Sequence, residues 1–139
     1  MKIDARRFHS FMQDYRDNLK RAIPSALMRA GEKARALILN RTSRGIGLNG
    51  RFKRYDTKYA KYRSKKGKGS TPNLSFSGDM LGSLSVTKTK TTSVLVHFKN
   101  RKEAKKAAYN NKKRPFFGIK PEEKKLVAAA FKDQLERKL

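Results

Sequence analysis

Gly45, Gly47 and Gly50 lie in the stretch RGIGLNGR and spell G-x-G-x-x-G. In a dinucleotide-binding protein that spacing brings backbone N–H groups against a pyrophosphate at the start of a helix. The chemistry requires a strand before the glycines, a helix after them and an acid about 20 residues further on. None of these is in place. Helical residues precede the glycines, a basic strand-poor stretch follows, and the segment from Ser64 to Pro72 holds no acid. The G-K-[ST] ending of a phosphate-binding loop is also missing. The glycines are therefore expected to supply positive φ and a tight reversal after a helix.

Other chemistries find even less. His9 reads as helical and His97 as part of a strand, each as a packing or surface residue rather than a base. Neither H-E-x-x-H nor G-x-S-x-G occurs, and the scattered acids form no metal constellation. Glu122 and Glu123 are adjacent, but they follow Pro121, where the positive end of a helix dipole favours carboxylates. Cysteine is absent, which removes disulfides and thiol chemistry. No catalytic residue, cofactor or metal is expected, and the chain is not read as an enzyme.

What the composition does offer is charge. Among 139 residues, 36 Lys and Arg oppose 11 Asp and Glu, a net charge of +25. Self-repulsion of that size favours an anionic partner. Eleven of the cations fall between Arg41 and Thr71, where Asp56 is the single acid. Arg44, Arg51, Lys53, Arg54, Lys58, Lys61, Arg63, Lys65, Lys66 and Lys68 are the candidates for contact with DNA or an acidic protein surface. Tyr55, Tyr59 and Tyr62 are interleaved at helical spacing. They read either as stacking groups for bases or as anchors that tie the segment to the domain. Replacing Arg63, Lys65, Lys66 and Lys68 together by Glu is expected to leave the fold intact and block assembly.

The elements that must position these residues read as a single α+β domain. Residues 4–40 are helical, with Phe8, Phe11, Met12, Tyr15 and Leu19 on one stripe. Pro24 predicts two helices meeting there or one kinked helix, and Gly31 is a second weak point. Residues 41–71 are expected to be an extended basic loop, with a short helical turn from Asp56 to Arg63 that aligns the tyrosines. Residues 72–98 read as a β region: Leu74 and Phe76 alternate with polar residues, Ser77 caps a turn, and Leu84–Thr87 and Val94–Phe98 form a hairpin. Residues 101–139 hold a short basic helix, the apolar segment Arg114-Pro115-Phe116-Phe117-Gly118 and a C-terminal helix. That helix opens at Pro121 and buries Leu126, Val127, Ala130, Phe131 and Leu135. Pro115, Phe116 and Phe117 read as an interface anchor or as packing beside the last helix. The first residues, MKIDARRFHSFMQDYRD, hold no continuous apolar stretch and predict no secretory leader. No run is long enough to span a bilayer.

Taken in order, these segments resemble the phage virion morphogenesis family, the tail-completion and neck proteins of tailed bacteriophages that include the Mu-type morphogenesis proteins. The residues that carry the resemblance are Gly47-Leu48-Asn49-Gly50-Arg51-Phe52-Lys53-Arg54-Tyr55, then Tyr59-Ala60-Lys61, then Leu74 through Leu84, then Arg114 through Gly118. It covers the chain from about Ala34 onward. Two positions depart from the family pattern. Asn111-Lys112-Lys113 stand before Arg114 where many members have Ile-Pro-Ala, and Lys120 stands where many have a Ser or Thr helix cap.

The resemblance implies a structural virion protein, made in the host bacterial cytoplasm and located at the head–tail junction. It implies a homo-oligomeric ring, of six copies, around the DNA channel. Its partners would be neighbouring neck, stopper and tail-terminator proteins, with non-specific contact to packaged DNA and neither a membrane nor a small-molecule substrate. In that setting Tyr55, Tyr59, Pro115, Phe116 and Phe117 are the candidate inter-subunit residues. The alternative, resting on charge alone, is a free basic nucleic-acid-binding protein of the ribosomal type.

Overall fold

Asp4 starts the longest element. Its carboxylate accepts from the backbone N–H of Arg7 at 3.0 Å, and helix α1 then runs Ala5–Ser43. The computed structural model describes residues 2–139. Pro24 lies inside α1 without ending it, so of the two arrangements it allowed, a single continuous helix is the one formed. An interior proline costs about 3 kcal/mol, since it removes a helical hydrogen bond. Tertiary packing offsets that cost at this point, because the buried face of α1 begins at Ala22 and continues through Ala26, Gly31, Ala34 and Ile38.

The chain turns at the glycine stretch. Gly45 has φ of 73° and its N–H donates to the Thr42 carbonyl, closing the helix as expected. Ile46–Gly47 (β1) and Gly50–Arg51 (β2) then pair as a minimal antiparallel hairpin. Gly50 adopts φ of 107°. Gly47 is required for a different reason: a Cβ there would lie 2.4 Å from the Pro115 carbonyl oxygen and 2.5 Å from the Phe52 ring. The N–H of Leu48 donates to that same carbonyl at 2.8 Å.

The stretch 41–71 holds the expected helical turn after Asp56 and is more ordered than an extended loop, since α1 runs on to Ser43 and β1 pairs with β2. Beyond β2, Asp56 accepts from the Tyr59 N–H at 2.9 Å and caps α2, Thr57–Lys65. The lone acid of the basic block is thus a helix cap, and the aligned tyrosines follow from it. Tyr59 and Tyr62 stack at 6.4 Å between centroids, and Tyr62 stacks on Phe76 at 5.7 Å.

Residues 72–78 are not a strand, contrary to the alternation of Leu74 and Phe76. Leu74 adopts φ of 57°, in the left-handed region, and is buried. The backbone groups that a strand would pair are taken by side chains. Tyr55 Oη accepts from Leu74 N–H, Asn73 Oδ1 accepts from Ser75 N–H, and Arg63 donates to the Ser75 carbonyl. Ser77 Oγ accepts from Asp79 N–H, the expected cap of a single turn, α3, Asp79–Gly82.

Leu84–Lys90 (β3) and Ser93–Phe98 (β4) form the predicted hairpin, with an irregularity between Lys88 and Lys90. Val94, Val96 and Phe98 share the partly buried face while Leu95 points outward. The hairpin crosses α1 at Gly31, where a Cβ would lie 2.6 Å from Val86 Cγ1. The weak point in the helix is therefore where a sheet approaches it. Asn100 caps α4, Arg101–Lys113, and Pro121 opens α5, Pro121–Lys138. Lys120 stands at the N-cap, and Glu123 completes the cap from the other side by accepting from the Lys120 N–H at 2.9 Å.

One core gathers these pieces at the C-terminal end of α1. Ile38, Phe52, Leu74, Met80, Leu84, Ala107 and Phe116 are buried together, with Val96, Phe98 and Ile119 packed against them. Phe116 is fully buried, so it is a core residue and not an interface anchor, while Phe117 stays 37% exposed. α5 lies antiparallel along α1: Glu123 meets Arg41, and Gln134 donates to Ser25 Oγ. Leu126 departs from the expected buried face of α5 and is 47% exposed.

The Arg41–Glu123 pair is buried and ties three segments. Arg41 Nε is 3.2 Å from Glu123 Oε2, and its two other nitrogens donate to the Phe116 and Gly118 carbonyls at 3.2 and 2.7 Å. Burial alone would raise the Glu123 carboxyl. The Lys120 N–H and the Arg41 guanidinium outweigh it and hold the group below its usual range. A depressed carboxyl stabilises the fold above its unfolded pKa and loses that contribution as pH falls through the folded value. Chemical denaturation of the protein and of Glu123→Gln should therefore give stability curves that converge as pH drops below about 4.5. Curves that stay parallel to pH 3 would show that Glu123 is not held by this pair.

Candidate nucleic-acid interface

Arg114 builds one side of the site. Its Nε donates to the Lys53 carbonyl at 2.7 Å and its Nη2 to the Arg54 carbonyl at 3.1 Å, so the end of α4 grips residues 53 and 54. The same guanidinium lies 4.7 Å from the Tyr55 ring centroid, and Arg63 lies 5.1 Å from it. Tyr59 meets Tyr55 edge-on at 4.9 Å. With its hydroxyl on Leu74, Tyr55 behaves as an anchor of the segment, one of the two roles its sequence context allowed.

Arg63 departs most from expectation. It is 1% exposed, and its donors reach the Gly69, Ser75 and Lys68 carbonyls and Asn73 Oδ1. Every one of those acceptors belongs to this chain, so Arg63 shapes the site and is not available to a partner. Arg44, Arg51, Lys53, Arg54, Lys58, Lys61, Lys65, Lys66 and Lys68 are all exposed. Lys66 lies over the Tyr62 ring and Lys68 over the Phe76 ring, at 5.9 and 5.7 Å.

Only part of this set converges. Lys53, Arg54, Tyr55, Tyr59 and Arg63 line a cleft of about 780 Å³, whereas Arg44, Arg51, Lys58, Lys61, Lys65, Lys66 and Lys68 lie outside it. The far wall comes from α4 and was not foreseen: Lys106, Tyr109, Asn110 and Lys113 face the basic segment across the opening. Tyr109 is 60% exposed, with Lys113 Nζ 4.9 Å from its ring centroid. The hydrogen bond from Lys113, together with its charge, holds the Tyr109 phenol below its usual value. One sequence signal was available. Tyr109 and Lys113 are spaced i, i+4 on a basic helix, as Tyr59 and Arg63 are along α2, so both walls repeat an aromatic–cation spacing.

The cleft is electrostatically one-sided. Asp56 is the single acid on its lining, and its carboxylate is engaged by the Tyr59 N–H. Glu103 is outside the lining and buried, with Oε1 3.3 Å from Lys106 Nζ. The histidines are elsewhere: His9 is exposed on α1, and His97 Nε2 is 2.7 Å from Thr87 Oγ1 across the hairpin. Among the described residues no cluster of three or more His, Cys, Asp or Glu is placed to hold a metal. Among the described residues no helix is long and apolar enough to cross a membrane.

Comparison of the chain with protein families, curated proteins and solved structures returns no match.

Proposed function

We propose that this chain is a structural protein of a tailed-phage virion, one that completes the tail or neck and joins head to tail as a ring around the DNA channel. The observation that carries the reading is the first third of α1. Every residue from Ala5 to Asn18 is exposed, because α5 ends alongside the start of the buried face of α1 at Ala22. At 1.5 Å per residue this is an arm of roughly 20 Å. Along it Phe8, Phe11, Met12 and Tyr15 form a stripe at i, i+3, i+4 and i+7, and they are 56%, 64%, 44% and 46% exposed. A contiguous apolar stripe that no other described residue covers marks a surface for assembly. Its occupant in this reading is a second copy of the chain. An arm that leaves one domain and lies on the next is a heterologous contact, the kind that closes into a ring.

Two further observations support the reading. The segments that resemble the morphogenesis family interlock: Gly47 packs on Pro115, Leu48 on Gly118, and Arg114 on the carbonyls of residues 53 and 54. The nine exposed cations of residues 44–68 give this stretch a strong positive charge suited to a DNA channel, without any need to read base edges.

The double substitution Phe11→Asp with Tyr15→Asp tests this. Both residues are exposed in the monomer, so far-UV circular dichroism should be unchanged. Light scattering after size exclusion should show wild-type oligomers, six-membered by the family resemblance, and at least ~10-fold weaker association in the variant. Electron microscopy of phage particles should place the protein at the head–tail junction. A wild-type chain that stays monomeric at high concentration and is missing from that junction would remove the reading. The alternative of a free nucleic-acid-binding protein is favoured by the basic cleft. It predicts a monomer in which the arm substitutions are silent.

A further inference from the structure

The cleft between residues 53–55, α2 and α4 has a composition that charge alone does not explain. A surface that only tracks a duplex needs cations. This one also carries aromatic rings in its lining, Phe76 from the segment before α3 and Tyr109 from α4, 37% and 60% exposed. Phe76 already stacks on Tyr62, and Lys113 lies over Tyr109, so a base would extend the first stack and take the lysine's place on the second. Two of its cations are committed: Arg63 and Arg114 spend their donors on backbone carbonyls. Lys53 and Arg54, by contrast, have no acceptor for their side chains among the described residues, and both stand exposed at the rim. Their backbone is fixed by Arg114, so the two free charges sit on a held segment rather than a loose one.

We propose that this cleft is a binding site for single-stranded nucleic acid. One or two nucleotides enter it, with phosphates on Lys53 and Arg54 and bases against Tyr109 and Phe76. Size supports the assignment: about 780 Å³ lies within the range of roughly 300–1,000 Å³ found for ligand pockets. A base can use an aromatic ring only when it has left its own stack. A paired duplex therefore meets the rim lysines and arginines but leaves Tyr109 and Phe76 with only their own-chain partners, Lys113 and Tyr62. An acidic peptide would satisfy the same cations, yet its carboxylates gain nothing from the two rings. The proposal is a property of the single chain and stands apart from the ring reading.

Fluorescence anisotropy with labelled oligothymidylate, oligouridylate, a blunt DNA duplex and polyglutamate tests it. Tyr109→Leu and Phe76→Leu change exposed side chains while keeping apolar bulk, and circular dichroism checks that both fold. Each should weaken oligothymidylate or oligouridylate binding by about tenfold and leave duplex binding within twofold. Stronger retention of the ribo-oligomer would name RNA as the ligand, and equal retention would name single strands of either sugar. Lys65→Ala, a cation outside the cleft, should weaken all anionic probes slightly and alike. Equal losses on single strand and duplex, or no loss on either, would overturn the proposal. So would polyglutamate binding that depends on Tyr109 and Phe76 to the same degree, which would assign the cleft to an acidic peptide.

Discussion

Arg41→Ala is expected to lower stability by about 3–5 kcal/mol, a large part of what a domain of this size possesses. The substitution leaves the Glu123 carboxylate buried without its cation and removes donors from the Phe116 and Gly118 carbonyls at once. Those carbonyls belong to the turn that sends the chain from the core residue Phe116 into α5, so α5 should loosen from α1 first. Arg41→Lys should recover little, because one ammonium cannot reproduce a planar fork that serves three acceptors. The neutral pair Arg41→Met with Glu123→Leu should lose less than Arg41→Ala alone, since no unpaired charge remains. Urea midpoints for the four proteins, at constant slope, check the order. A loss below about 1 kcal/mol for Arg41→Ala would place the pair among ordinary surface ion pairs.

Arg63→Ala is expected to cost about 3 kcal/mol and to act locally. Four acceptors between Lys68 and Ser75 lose their donor, and the Tyr55 and Tyr59 rings lose the cation between them. Limited proteolysis should then cut between Lys66 and Thr71 while the hairpin and α5 survive. The same geometry revises the charge-reversal expectation. Reversing Lys65, Lys66 and Lys68 to Glu, with Arg63 kept, should change stability by no more than about 1 kcal/mol, because all three are exposed. Adding Arg63→Glu should destroy the segment, since a carboxylate would then face carbonyl oxygens. A quadruple variant as stable as the triple would show that Arg63 has no structural role.

Those two arginines also mark where sequence reasoning stopped. The hairpin, α4 and α5 were legible because alternation, capping residues and Pro121 act within a few positions of one another. α2 was legible for a similar reason: Asp56 is the only acid that could cap it, and the tyrosines follow at helical spacing. Arg41 and Arg63 were not, because residue type places a cation in water, and only the tertiary arrangement supplies the buried acceptors. A hint existed for Arg63, four residues after Tyr59 on the tyrosine side of α2. Leu74 misled in the opposite direction. Its alternation with Phe76 is that of a strand, but Arg63, Tyr55 and Asn73 capture the backbone groups a strand would have used. Half the cleft was hidden too, because α4 reaches the basic segment only through the Arg114 grip, some 60 residues away in sequence.

α1 is one helix in shape and two in its thermodynamics. From Ala22 onward its hydrogen bonds open only when the core opens, so their amides should exchange with solvent at the rate of global unfolding. Before Leu19 every described residue of the helix is exposed, and little but its own propensity and the Asp4 cap opposes fraying. The anchored half still provides the nucleus, so the arm grows out of a formed helix instead of starting one. Amide protection should therefore decline steadily from Ala22 toward Ala5 in the free chain and rise over that stretch when the arm is covered. The protection gradient would thus report association residue by residue, with the folded domain behind it as an internal reference.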